Sequence, residues 1–94
     1  MDIRDFECKK YVFRKVEEMY ISYYLLKSQP DGIEIFSILV SLFEKGTLDD
    51  GRFVFDVSRN ENEAERIFEL ICKNNVTPYS LDECLDSIYD ILLM

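Results

Sequence analysis

The hydrophobic period of the chain changes once, near Ser58. Ahead of it, "KKYVFRKVEEMYISYYLLK" (residues 9–27) is rich in Tyr, Val, Phe and Ile, with a polar pair at Glu17 and Glu18. β-Branched and aromatic residues suit a pleated surface, and a polar pair suits the reversal between two strands, so the segment predicts a hairpin. Two clusters, "SQPDG" (residues 28–32) and "KGTLDDG" (residues 45–51), carry the Pro, Gly and Asp that turns require.

The stretch from Ile33 to Phe43 fits two periods. Ile35, Ile38, Leu39 and Leu42 share one helical face, with Asp31 and Glu34 as a capping box and Gly46 as a stop. Its Ile and Val content, and the similar run "RFVFDVS" after the next turn, favour a strand. Because "IFSILVSLF" combines high β-propensity with no charge, it belongs inside the sheet rather than at an edge.

Beyond Ser58 the spacing becomes helical. Ala64, Ile67, Phe68 and Ile71 recur at i, i+3, i+4 and i+7, behind Asn60 and Glu63 as a capping box. In "NNVTPYSLDECLDSIYDILL" a second stripe runs through Leu81, Cys84, Leu85, Ile88 and Leu92. Thr77 can cap this helix with Pro78 at its first position, where a missing N–H costs nothing; Ser80 with Glu83 is an alternative start. The expected fold is α+β: an antiparallel sheet of about four strands (about residues 8–58) followed by two helices (about 60–74 and 78–93) packed on one face. Residues 1–94 make one domain, since chains divide into several cores only at roughly 250 to 300 residues.

With 48% hydrophobic and 32% charged residues, the composition is that of a folded domain. The net charge of −8 works against nucleic-acid binding, which draws its affinity from Lys and Arg at phosphates. The one basic cluster, Lys9, Lys10, Arg14 and Lys15, reads as solvated charge that discourages pairing at a sheet edge. The opening "MDIRDFECKK" has no apolar signal region, and no apolar run approaches the roughly 20 residues of a membrane helix. The expectation is a cytoplasmic protein with reduced thiols, no membrane contact and no nucleic acid.

Chemistry is sparse. No histidine is present to form a Ser-His or Cys-His nucleophile pair, and no glycine-rich phosphate loop occurs. Cys8, Cys72 and Cys84 form no C-x-x-C pair, so neither a metal nor a cofactor is expected. Cys84 falls on the inward stripe of its helix as a small buried hydrophobe, Cys72 lies just off the other stripe, and Cys8 is the one expected at the surface. Asp82, Asp86 and Asp90 recur at i, i+4 and i+8 opposite the apolar stripe, which is the pattern of a solvated helix face. Stacked along one helix, they lack the varied directions of approach that a calcium or magnesium shell needs.

The pieces "YYLL", "GIEI", "VS" and "VTPYSLDECLDSIYD" resemble a family of small uncharacterised bacterial proteins, marked by a C-terminal V-[ST]-P-x-x-L helix start. Val76, Thr77, Pro78 and Leu81 carry that motif here, and the Gly32–Ile33 junction supports it. In the family the position of Ser80 is often histidine. The resemblance brings no activity and implies a fold, one in which residues 33–43 are a strand.

Six tyrosines and seven phenylalanines remain to be placed. The third strand is apolar on both sides, with Phe36, Ile38, Val40 and Leu42 on one and Ile33, Ile35, Leu39 and Phe43 on the other. Two helices cover only one face of a four-stranded sheet, so something else is expected over part of the second: a protein partner, another copy of the chain included, or else loops and the N-terminal residues, with tyrosines tolerating exposure as the remaining alternative. The leading reading is a non-enzymatic interaction or regulatory module. An acidic mimic that blocks a basic groove and a small carboxylate-based enzyme or ligand binder are the alternatives. Tyr20, Tyr23 and Tyr24, with Asp82, Asp86 and Asp90, are the candidate partner-binding residues. Under non-oxidising conditions the denatured protein is expected to titrate three thiols and to carry no stoichiometric zinc; one equivalent of tightly held metal, measured by elemental analysis, would contradict this.

Overall fold

A computed structural model describes residues 5–92. Four strands, β1 (Glu7–Val16), β2 (Met19–Ser28), β3 (Ile35–Glu44) and β4 (Thr47–Ser58), precede two helices, α1 (Glu61–Lys73) and α2 (Leu81–Leu92). The strands form one antiparallel sheet in the order β1-β2-β3-β4. The α+β architecture expected from the pattern is the one observed.

The turns explain the register. Val16 pairs with Met19 across Glu17 and Glu18, and Glu17 takes a left-handed φ of 57°. Glu44 pairs with Thr47 across Lys45 and Gly46, whose φ values of 52° and 79° match the two-residue turn that follows the twist of paired strands. Between β2 and β3 the chain makes a single 3₁₀ turn, Pro30–Gly32. There the Lys27 ammonium lies 3.0 Å from the Glu34 carboxylate.

The ambiguous stretch is a strand, and an interior one. Alternation decides it: Phe36, Ile38, Val40 and Leu42 are buried under the helices, while Leu39 and Phe43 lie on the opposite face. Ile33 departs from expectation. The strand begins only at Ile35, which leaves Ile33 in the preceding connection and 48% exposed.

Helix α1 starts where its sequence says. The Asn60 Oδ1 accepts from the Glu63 N–H at 2.9 Å, and the Ser58 Oγ accepts from the Asn60 N–H at 3.0 Å. Its end is a Schellman motif, with Asn75 at φ 51°, its N–H donating to the Cys72 carbonyl, and the Val76 N–H reaching back to the Ile71 carbonyl. Val76 is thereby turned into the core.

Helix α2 begins three residues later than Thr77 and Pro78 suggest. Residues 77–80 close a turn through the Ser80 N–H and the Thr77 carbonyl, and the Cys84 N–H donates to the Ser80 carbonyl, so the helix opens from Ser80. Pro78 is buried in that turn. The Thr77 N–H donates to the Ser80 Oγ at 3.3 Å, which makes the two side chains a clasp for the turn instead of a cap at Thr77. The alternative start at Ser80 is the one the chain uses.

Leu81, Leu85 and Ile88 of α2 join Ala64, Ile67, Phe68 and Ile71 of α1 on one face of the sheet. Polar pins fasten the layers. The Tyr23 hydroxyl donates to the Val76 carbonyl at 2.8 Å, the Tyr89 hydroxyl to the Val57 carbonyl at 2.7 Å, and Arg52 grips both carboxylate oxygens of Asp82 at 3.1 and 3.2 Å.

Leu85→Ala is expected to cost about 2 to 5 kcal/mol in chemical denaturation, and Asp86→Ala, on the exposed side of the same helix, no more than about 0.5 kcal/mol. Tyr23→Phe should cost about 1 to 3 kcal/mol, because it strands a buried carbonyl. Equal and small losses at Leu85 and Asp86 would mean that the helix is rotated.

Candidate functional site

The sheet face away from the helices is built in rows, because residues paired across four strands point the same way. One row runs Tyr11, Tyr24, Leu39, Phe53; the next Phe13, Ser22, Ser41, Gly51; the third Lys15, Tyr20, Phe43, Leu48. Among these twelve positions Lys15 is the one charge, in a chain that holds 19 acidic residues.

The outer rows are ridges. Tyr11 and Tyr24 meet with ring centroids 4.9 Å apart, Phe13 leans diagonally to stack on Tyr20 at 5.4 Å, and the Lys15 ammonium sits 5.7 Å from the Tyr20 ring. At the β4 end, Phe53 takes the edge of Phe6 at 5.5 Å. Between the ridges runs a trough floored by Ser22, Ser41 and Gly51. The hollow at its β1 side encloses about 380 Å³ and is lined by Tyr11, Phe13, Tyr20, Ser22, Tyr24, Phe43 and Gly46. The walls are bare: Tyr11 is 52% exposed, Phe13 53% and Leu48 59%, with Phe53 and Phe55 near two-fifths.

Gly51 lies one residue beyond a bulge in β4, where Leu42 pairs with Asp50 and Phe43 with Leu48. Its φ is not positive, and a Cβ placed on it would meet nothing nearer than 3.8 Å, an ordinary contact. Glycine inside a strand weakens it and commonly marks a bulge or a place where something else comes close to the backbone.

The six residues selected from sequence do not share a surface. Tyr20 and Tyr24 belong to the open face. Tyr23 is a correction: it faces the helices, is fully buried and spends its hydroxyl on Val76, so it is a core residue and not a partner contact. Burial drives its phenol well above the ordinary tyrosine range. Asp82, Asp86 and Asp90 are exposed on α2, in the other layer, and the Asp82 carboxylate is engaged by Arg52. Sequence reasoning missed Tyr11, Phe13, Phe53 and Gly51. The signal was the parity of β1: Tyr11, Phe13 and Lys15 alternate with Lys10, Val12 and Arg14, and the two-residue turn at Glu17 decides which set lies opposite Tyr20 and Tyr24.

The same parity dissolves the basic cluster. Lys10 turns toward α1, where it lies 3.9 Å from Glu65 and 3.6 Å from Glu69, whereas Lys15 turns to the open face. Near the start of α2 the Tyr79 hydroxyl donates to the Asp49 carboxylate at 2.7 Å, and that bond pushes the phenol up to about 12. Among the described residues no group of three or more Cys, Asp or Glu side chains is gathered in a way that could hold a metal ion. No described helix is long and apolar enough to cross a membrane.

Of the cysteines, Cys8 is exposed and Cys72 is buried. Cys84 is only half-buried, because its place on the stripe is at the margin of the helix–sheet contact, not its centre. Burial pushes the Cys72 thiol up to about 11.

In comparison with known proteins, the model of a family of unknown function, DUF6514, matches residues 4–90. No curated protein and no solved structure matches the chain.

The buried thiol generates a pH prediction. A folded-state value raised from 9.0 to about 11 means that the unfolded chain loses its proton first. Stability from this group is therefore intact below pH 9 and falls as pH rises toward 11. Denaturation midpoints should drop across that window, less steeply in Cys72→Ala, and Cys8 should alkylate well before Cys72 in the folded protein. Equal alkylation rates would contradict the burial.

Proposed function

We propose that this chain, which belongs to the DUF6514 family of unknown function, is a non-enzymatic protein-interaction module that works through its open sheet face in the bacterial cytoplasm. The observation that carries the reading is the composition of that face: two ridges of aromatic and aliphatic side chains, bare and nearly free of charge, on a chain of net charge −8. Soluble monomers rarely leave a contiguous apolar patch of this kind exposed, and patches rimmed by polar groups mark interaction surfaces. Tyr and Phe suit such a surface because they bring large contact area with few rotatable bonds.

Gly51 supports the same reading. Without a side chain, and with room in its own chain for a Cβ, this residue beside the β4 bulge keeps the middle of the face open to an incoming group. The acidic-mimic alternative draws less support, since Asp82 is neutralised by Arg52 and Asp86 and Asp90 stand on a single helix. A regulatory role fits a module whose contact surface is separate from the pinned core beneath it.

Site-specific photo-crosslinking in the native cell tests this. A photoreactive residue in place of Phe13 should yield discrete protein adducts, whereas one in place of Ile91, somewhat more exposed on α2 at 61%, should not. Adducts from position 91 with none from position 13 would move the working surface to the helices and overturn the proposal.

A further inference from the structure

Resting on the reading of the open face as an interaction surface, we infer that its occupant is a second copy of this chain, in a twofold dimer where a ridge of each copy lies in the trough of the other. The relief of the face supplies the argument. A ridge and a trough that run side by side in the same direction change places under a twofold axis parallel to them and midway between them. Such a surface is self-complementary, which is the requirement of an isologous contact.

The rows make the match specific. With the axis between the row of Tyr24 and the row of Ser22, Phe53 comes down on the partner's Gly51, Leu39 on the partner's Ser41, and Tyr24 on the partner's Ser22. At the β1 edge Tyr11 meets the partner's Phe13. The remaining ridge of Tyr20 and Phe43 then falls over the partner's row of Leu26 and Ser37, in which Ser37 is fully buried within its own chain. On β2, β3 and β4 of the two central rows large residues oppose small ones, as the inner faces of stacked sheets do when their side chains interdigitate, while at the β1 edge two rings meet. Gly51 acquires a purpose in this arrangement, because an aromatic ring from across the interface takes the volume its own side chain leaves free.

Area and charge agree with a second copy. Four strands about 4.8 Å apart and ten residues long, at about 3.3 Å each, frame a face of about 600 Å², so two copies bury about 1,200 Å², the lower end of what specific interfaces need. Two chains of charge −8 repel, yet this face holds no acidic side chain in its three central rows. Joining through it sends both helical layers, with Asp86 and Asp90, to the outside. The molecule measures 17 Å through its thinnest dimension, so the acidic layers stand about two such thicknesses apart. That is far beyond the Debye length of about 8 Å at physiological salt. A foreign partner would have few polar groups here by which to be selected, whereas a copy needs only shape.

Sedimentation equilibrium across a dilution series of the purified chain reads the result. A reversible monomer–dimer equilibrium is expected. Gly51→Val should weaken it about tenfold or more, since the new side chain fills the trough, while its denaturation midpoint stays equal or rises because the Cβ finds free space in its own chain. Phe13→Ser, at a site already half exposed, should weaken the dimer as well, and it decides the matter should Gly51→Val fold poorly. Ile91→Ser on α2 should leave the equilibrium unchanged. A single species at the monomer mass up to high micromolar concentration overturns the dimer; cross-links from position 13 to a different protein would then leave the interaction reading standing. A dimer indifferent to both Gly51→Val and Phe13→Ser is seated elsewhere, and overturns the inference too.

Discussion

The two-residue period of a strand governs this molecule. Once Tyr23, Val40, Ile38 and Leu25 are committed to the helical side, every neighbour in sequence is committed to the other. Tyr24 and Leu39 cannot follow Tyr23 and Val40 inward. The chain nevertheless carries apolar residues at both parities, so burying one face leaves the second apolar and bare. The helices therefore complete only half of what the sheet demands, and the other half defines the surface available for function.

The same constraint explains where polar groups are tolerated inside. A tyrosine at the centre of a core must satisfy its hydroxyl, and Tyr23 does so on the carbonyl of Val76, in the connection between the helices. That connection can present the carbonyl because the Schellman turn at Asn75 reverses the chain and drives Val76 inward. Sheet, helix end and connection thus depend on one another. Arg52 with Asp82 and Tyr89 with Val57 repeat the device nearer the surface, where the net gain from an exposed ion pair is small and the gain in orientation matters more.

Much of the fold was legible in the sequence, for physical reasons that also mark where legibility stopped. The hairpin around Glu17 and Glu18 and the helical stripes from Ala64 and from Leu81 follow from periodicity and turn chemistry. The start of α2 did not, since Thr77 and Pro78 form a good helix opening in isolation and lost only because Pro78 packs into a turn clasped by Ser80. Of the site, residue type was readable and direction was not. Tyr20, Tyr23 and Tyr24 are equivalent as side chains, and only the pairing register separates a core tyrosine from two at the surface. Gly51, read as part of a turn, owes its meaning to the row it shares with Ser22 and Ser41.

The order of the elements has a bearing on how the chain is made. Each strand pairs with its neighbour in sequence and the two helices follow, so a ribosome delivers the whole sheet before the helices that cover its one face. Until residues 61–92 emerge, a nascent sheet is apolar on both faces, and two-sided apolar sheets with open edges invite association with other chains. The cations of β1, which split to opposite faces in the finished fold, line one margin of that intermediate, and the bulge between Cys8 and Lys10 breaks its flatness. In the nascent chain, charge and irregularity mark both edges: the cations and bulge of β1 on one side, and Asp49, Asp50 and the bulges of β4 on the other.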